Sequence, residues 1–146
     1  MDTESIKTIK SDILKVRYQG KIIRINITKE LSINESIINS QLKDSPSGYA
    51  FLCMLKNKYI KERDKLDREK EIAYSEAWLY YKSSDSKMNN DTANHKANTN
   101  KKYISIYNKW QKISNIAENL ISICRAYENR ENILRTISAN LRKENQ

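Results

Sequence analysis

The sequence predicts a mainly α-helical protein built on a long antiparallel helical hairpin, with a third helix at the C-terminus and a small β-hairpin near the N-terminus. The 146 residues include only two glycines and one proline, so few positions favour tight turns or interrupt a helix. Apolar residues also recur every three or four positions over two long stretches, as in helices with one buried face. We expect a single domain overall, with an arm at 1–48 and the helical part at 49–146.

The arm begins with a weak helical pattern and continues with a strand pattern. Residues 1–16 place isoleucines and a valine at helical spacing, which predicts a short amphipathic helix. Isoleucines then alternate with polar residues over 23–27, which is the period of a half-buried strand. Because Gln19-Gly20 can supply a tight turn, the sequence predicts a β-hairpin near 14–27, packed on another element.

A short helix is expected at the end of the arm. Apolar residues between Leu31 and Leu42 follow helical spacing, and Ser32 or Asn34 can cap the start of the helix. The segment Asp44–Gly48 contains both Pro46 and Gly48. We expect it to end this helix, since both residue types interrupt helices.

Two long helices are expected in the second part, near 49–82 and 102–127. The first has no Gly or Pro, and its charged residues are spaced to pair with one another on a solvated face. The second has a seam with spacings of three and four, formed by Tyr103, Ile106, Trp110, Ile113, Ala117, Leu120, Cys124 and Tyr127. Glu128-Asn129-Arg130 interrupts this seam, and apolar residues from Ile133 onwards restart it. This restart predicts the third helix.

The apolar surface exceeds what one hairpin can cover. Ile116 and Ile123 widen the seam of the second helix, and three apolar residues of the third helix also need cover. The sequence therefore predicts a homo-oligomer, with contacts between copies at Ile116, Ile123, Leu134, Ile137 and Leu141.

Charge and aromatic residues indicate a nucleic-acid ligand. With 27 Lys and Arg against 18 Asp and Glu, the net charge is +9, which attracts nucleic acid or an anionic membrane; a merely lysine-rich soluble surface is the alternative. Aromatic rings crowd Ala73–Lys82, and the polar segment Ser83–Lys102 follows as a predicted loop. Rings can stack on unpaired bases while lysines neutralise phosphates. The candidate single-stranded DNA contacts are Trp78, Tyr81, Lys82, Lys87, Lys96, Lys101 and Lys102, with the Lys56–Lys70 helix face as the alternative location.

No motif indicates catalysis, a cofactor or a metal. The sequence has no P-loop, dinucleotide fingerprint or HExxH motif, and the single histidine, His95, has no partner that spacing supports. Cys53 and Cys124 lack a CxxC motif, so we expect free thiols in a reducing cytosol. No signal peptide and no apolar run of about twenty residues is present, so no membrane segment is expected.

The chain resembles the UvsY-type recombination mediators of tailed phages over roughly residues 31–141. The resemblance lies in the Pro-Ser break before the aromatic start at Tyr49, the Tyr80-Tyr81 pair, the polar insert, Lys101-Lys102-Tyr103 with Trp110, and Arg130 followed by Ile133 and Ile137. It implies a ring-forming, non-enzymatic protein in the cytoplasm of an infected bacterium. Such proteins bind single-stranded DNA and help load a RecA-like recombinase onto strands covered by single-strand binding protein.

Two other interpretations fit the residues themselves. One is a structural or adaptor helical hairpin of a phage, with no role in nucleic-acid binding. The other is a helicase-loading accessory protein, which would share the basic, helical character.

Overall fold

A computed structural model describes residues 12–146, of which 80% are helical. Two strands, β1 and β2, precede four helices, with a single 3-10 turn between the first two. In chain order the elements are β1 (Ile13–Tyr18), β2 (Lys21–Asn26), α1 (Ile27–Leu31), the 3-10 turn (Glu35–Ile37), α2 (Ile38–Ser84), α3 (Asn90–Asn98) and α4 (Lys101–Glu144). The mainly helical class with a small N-terminal sheet is confirmed. Most of the helix predicted for 1–16 lies outside the described residues, and its last positions belong to β1.

The described chain divides into two compact units. Unit 1 contains the described residues up to Leu55 together with Leu120–Gln146, and unit 2 is Lys56–Asn119. None of the helices within residues 12–146 contains a stretch that is long and apolar enough to cross a bilayer.

The predicted β-hairpin of unit 1 is confirmed. β1 and β2 pair antiparallel, and the two turn residues, Gln19 and Gly20, have φ angles of 48° and 74°. Positive φ at both positions is the backbone of the two-residue turns that match strand twist, which explains why Gly20 is there. Leu14, Val16 and Ile25 are buried on one face, so the hairpin has the packed side that it needs for stability.

The predicted helix break at Asp44–Gly48 is wrong, because α2 runs through Pro46 without interruption. Proline removes one backbone hydrogen bond, and packing on either side outweighs that loss. Ser45 is buried on one side of it. On the other side, a Cβ added to Gly48 would lie 2.7 Å from the Tyr127 hydroxyl oxygen, so the glycine permits close approach of α4.

The separate third helix is also wrong, since α4 continues from Lys101 to Glu144. The supposed interruption contains Arg130, which is buried with only 8% of its surface exposed and takes a core position between Tyr127 and Leu134. A buried, hydrogen-bonded arginine therefore looked like a gap in an apolar pattern. All eight residues of the predicted seam are buried or half-buried, as expected.

Within each unit, α2 and α4 pair in opposite chain directions, as in an antiparallel helical hairpin. In unit 1, Tyr49 stacks on Tyr127 with ring centroids 5.9 Å apart. In unit 2, Tyr74 meets Tyr103 edge-to-face at 5.5 Å, and Glu76 lies 3.3 Å from the Lys102 ammonium.

The segment Ser83–Lys102 was predicted to be a loop, but its centre is α3. The Asn89 side chain accepts a hydrogen bond from the Thr92 backbone N–H at 2.7 Å and caps this helix. Ala93 and Ala97, four residues apart, are completely buried. Two alanines among the nine residues of α3 give too short a pattern to be recognised as a helix face.

The chain itself already covers some of the residues predicted to contact another copy. In unit 1, Leu134 is fully buried and Ile123 is 5% exposed, whereas Ile137 and Leu141 are half-buried. Ile116, in unit 2, is also half-buried. Their role in self-association stays a prediction.

Candidate nucleic-acid interface

The predicted DNA contacts lie together at one end of unit 2, which we call the tip and define as residues 74–103. Trp78, Tyr81 and Lys82 occupy the last turns of α2, and Lys87 lies in the connection to α3. Lys96 belongs to α3, and α4 begins with the remaining two lysines. The tip contains five lysines against one glutamate and two aspartates, a net charge of +2. The tip is therefore locally basic.

Two lysines of the tip are placed at aromatic rings. Lys82 Nζ lies 5.8 Å from the ring centroid of Trp78, and Lys96 Nζ lies 5.6 Å from that of Tyr81. Tyr80 meets Tyr81 edge-to-face at a centroid distance of 5.4 Å. Cation–π pairs of this kind contribute on the order of 0.5–1 kcal/mol at exposed sites. They also hold an ammonium group and a flat apolar surface side by side.

The lysines differ in how far intramolecular contacts already use them. Lys82 Nζ donates a hydrogen bond to the Met88 carbonyl oxygen at 2.6 Å, and Lys102 pairs with Glu76. Lys87 and Lys101 are exposed, and neither ammonium group has a partner among residues 12–146. These two lysines are the most available for a phosphate group.

The tip also has an open groove of about 440 Å³, and Trp78, whose ring lies near the Lys82 ammonium, forms part of its wall. Its wall carries two rings, one aliphatic side chain, two amides and a hydroxyl, from Tyr74, Trp78, Leu79, Asn90, Asn94 and Ser75. The Tyr74 hydroxyl donates to Asn94 Oδ1 at 3.0 Å, which leaves the Asn94 amide N–H groups to face a ligand. Flat apolar walls with amide donors suit an unstacked nucleobase.

Sequence reasoning missed several residues of the tip. The helical spacing of Ala73, Ala77 and Tyr80 predicts one buried face, but Tyr80 is 66% exposed, whereas both alanines are buried. Trp78 and Tyr81 are half-buried. Asn90 and Asn94 were not singled out, because the helix that brings them to the groove was not predicted.

The alternative location, the Lys56–Lys70 face, is partly paired with itself. Its ion pairs are Arg63 with Asp64, Lys65 with Glu69, and Lys70 with Asp67. Lys70 Nζ also lies 3.9 Å from the ring centroid of Trp110. Three of the seven cations of this face are therefore ion-paired within it, as the sequence indicated, whereas Lys56, Lys61 and Arg68 have no ion-pair partner among residues 12–146.

Among residues 12–146, no group of three or more His, Cys, Asp or Glu side chains is arranged to hold a metal ion. Neither Cys53 nor Cys124 forms a disulfide bond in the described part of the chain. Comparisons with protein-family models, with curated proteins and with solved structures found no match. The resemblance to UvsY-type mediators thus stays a prediction.

Proposed function

We propose that this protein binds single-stranded DNA at the tip of unit 2 and acts as a non-enzymatic recombination mediator. The observation that supports binding best is the placement of lysine ammonium groups at the rings of Trp78 and Tyr81. Stacking and phosphate neutralisation are the two interactions that single-strand binding proteins combine. At the tip, one small surface offers both.

In this proposal a base enters the groove and the backbone follows the lysines. The base stacks on Trp78 or Tyr74, and the Asn94 amide donates to acceptors on its edge. Lys87, Lys96 and Lys101 neutralise the flanking phosphates. Since every base has a flat face, binding shows little sequence preference.

The mediator role goes beyond DNA binding, and the sequence resemblance to UvsY-type proteins is what supports it. Single-stranded DNA, a RecA-like recombinase and single-strand binding protein are the proposed partners, and a homo-oligomeric ring is the proposed assembly. Repeated tips on one assembly strengthen a weak contact, because each further contact becomes intramolecular.

Salt-dependent binding tests the proposal. Fluorescence anisotropy with a labelled single-stranded oligonucleotide should show affinity that falls steeply as salt rises, because bound lysines release counterions. The double variant Lys87→Gln, Lys101→Gln should lower the slope of log K against log salt by about 1.4, at roughly 0.7 per lost phosphate contact.

The matched control is Lys109→Gln, Lys112→Gln, which removes two exposed charges from α4 outside the tip. It should leave the slope near the wild-type value. Absence of wild-type binding at low salt would refute the DNA function, and an unchanged slope in the tip variant would place the site elsewhere.

A second candidate, the adaptor protein, has one observation in its favour. Ile72 and Leu79, seven residues apart on α2, are 57% and 60% exposed and lie on one side of the helix. Exposed apolar side chains at helical spacing suit contact with another protein. Ile72→Gln changes the one of these two residues that lies outside the tip, so it should leave DNA binding intact. Loss of a protein complex without loss of DNA binding in this variant favours the adaptor.

A further inference from the structure

The two-stranded hairpin of unit 1, here called the β-ribbon, has two faces of opposite character. Leu14, Val16 and Ile25 are buried on the inward face. The outward face is exposed and carries Ile13, Lys15, Arg17, Ile22 and Arg24. The ribbon is therefore anchored on one side and presents a basic surface on the other.

Two cations on this face lie directly across from each other. The strand register pairs Lys15 with Arg24, and Arg17 follows two residues along β1 on the same side. Neither Lys15 nor Arg24 has an ion-pair partner among residues 12–146. Like charges in directly opposite positions destabilise a sheet. No anionic side chain among residues 12–146 is paired with these two cations, so an anionic ligand would stabilise them.

The local acid is already engaged. Residues 12–26 contain four basic side chains and one acid, Asp12. Asp12 Oδ1 accepts hydrogen bonds from the Thr28 hydroxyl at 2.6 Å and from its backbone N–H at 3.1 Å. The aspartate therefore fixes the start of α1 and forms no ion pair with Lys15 or Arg24.

The ribbon is also held firmly on its helical support. Tyr18, at the end of β1, meets Phe51 of α2 edge-to-face with centroids 5.6 Å apart. Its hydroxyl donates to the Met54 sulfur at 3.9 Å. A ribbon backed by a helix presents its outward side chains in a fixed row.

We infer that the outward face of the β-ribbon binds double-stranded DNA through its major groove. That groove is about 12 Å wide and admits a two-stranded ribbon, whose lysines and arginines reach phosphates and guanine edges. Ile13 and Ile22, which are 42% and 64% exposed, lie near opposite ends of the basic row, where aliphatic groups can contact thymine methyls.

Other occupants fit this face less well. A second copy of the ribbon would bring like charges together. A membrane surface needs a continuous apolar stripe, and here the Lys15–Arg24 pair separates the two isoleucines. This site lies in unit 1 and does not depend on the tip, so the inference stands or falls separately from the proposed function.

The test compares duplex binding by two charge-matched double variants of the full chain. Lys15→Gln, Arg24→Gln removes the cross-strand pair, and Lys29→Gln, Lys143→Gln removes two exposed charges elsewhere in unit 1. With a labelled duplex, the ribbon variant should lower the slope of log K against log salt by about 1.8, at roughly 0.9 per phosphate. Over a fourfold rise in salt, its affinity loss should then be about 12-fold smaller than that of the wild type.

The control variant should keep the wild-type salt slope for duplex binding. For single-stranded DNA, the salt slope of the ribbon variant should equal that of the wild type. Circular dichroism should show both variants folded, since all four side chains are exposed. The inference is overturned if the wild type does not bind duplex at low salt, or if both variants lower the slope equally. It is also overturned if the ribbon variant lowers single-strand and duplex slopes alike. Tighter binding to phosphatidylserine vesicles or poly-glutamate than to duplex would overturn the ligand class.

Discussion

Arg130 Nη1 donates a hydrogen bond to the Ser45 hydroxyl oxygen at 2.8 Å, and both residues are buried. Arg130 Nε also donates to the Ser32 carbonyl oxygen at 3.0 Å, and the guanidinium carbon lies 5.1 Å from the ring centroid of Tyr127. One side chain therefore ties the segment before α2, α2 itself and α4 together within unit 1. Its hydrogen bonds go to neutral oxygen atoms.

Ser45→Ala should destabilise the protein by about 1–3 kcal/mol, because it leaves a buried guanidinium N–H without an acceptor. Ser47→Ala is the matched control, since Ser47 is exposed two residues away and its hydroxyl bonds only the Asp44 carbonyl. Its effect should stay within about 0.5 kcal/mol. Urea unfolding measures both, and equal effects would show that the Arg130 contact contributes little.

Gly48→Ala should destabilise by roughly 1–3 kcal/mol, although alanine favours helices more than glycine does. The added Cβ would lie 2.7 Å from the Tyr127 hydroxyl oxygen, in a buried ring stacked on Tyr49. Tyr127→Phe removes that oxygen, after which the nearest ring atom lies 3.6 Å away. The double variant should therefore be more stable than the sum of the single changes predicts. Strict additivity in thermal unfolding would contradict the close contact.

Arg24→Glu should both stabilise the β-ribbon and weaken duplex binding. It replaces a like-charge pair by an attractive one opposite Lys15, a gain of about 0.2–1 kcal/mol. Lys29→Glu gives the same change in net charge on α1 without a cross-strand partner. Thermal unfolding and duplex anisotropy on both variants separate the effects, and a lower melting temperature for Arg24→Glu would argue against the register.

Unit 1 should lose stability in alkali through Tyr49. Its hydroxyl donates to the Glu128 carboxylate, and this hydrogen bond raises the pKa of Tyr49 above its ordinary value, with Cys53 adding to the shift. The folded form keeps the proton after the unfolded form has lost it near pH 10. The stabilisation is therefore complete below about pH 10 and is lost as pH rises towards the folded-state pKa.

Melting temperature measured against pH tests this. Tyr49→Phe should flatten the alkaline decline, whereas Tyr80→Phe, an exposed tyrosine at the tip, should keep the wild-type profile. If both variants follow the wild type, another group controls alkaline unfolding.

Trp78→Ala should weaken single-strand binding by on the order of 5- to 150-fold, the equivalent of about 1–3 kcal/mol for one stacked base. The salt slope should change little, since no charge is removed. An oligonucleotide with abasic sites throughout should bind wild type and variant equally. Ile72→Ala, an exposed change elsewhere on α2, is the control. A loss that persists on abasic DNA would show that Trp78 supports the fold rather than a base.

The elements with long or strict patterns could be predicted from sequence, and those that depend on tertiary contacts could not. The alternation at Ile23–Ile27 with Gln19-Gly20 gave the hairpin, and the seam from Tyr103 to Tyr127 gave much of α4. The predictions at Pro46 and Arg130 were wrong because a proline, or a charged residue within an apolar pattern, indicates the end of a helix. Packing and hydrogen bonds keep both residues within helices.

The tip was predicted in composition but only partly in geometry. Clustered rings and lysines identified Trp78, Tyr81 and the lysines, which do lie in one region. Tyr80 is 66% exposed although Ala73, seven residues earlier on α2, is buried, so helical spacing alone did not show which ring is exposed. Asn94 reaches the groove only because α3 forms, and its two buried alanines give a weak signal.

Lys82, the lysine that joins α2 to the Met88 carbonyl, affects how a ligand meets the tip. Its hydrogen bond at 2.6 Å closes the connection to α3 before anything binds. A preorganised turn loses less conformational entropy on association, so more of the contact energy appears as affinity. Loss of this ammonium group would loosen the turn as well as remove a charge, and it should slow productive encounter by making the tip fold around its ligand.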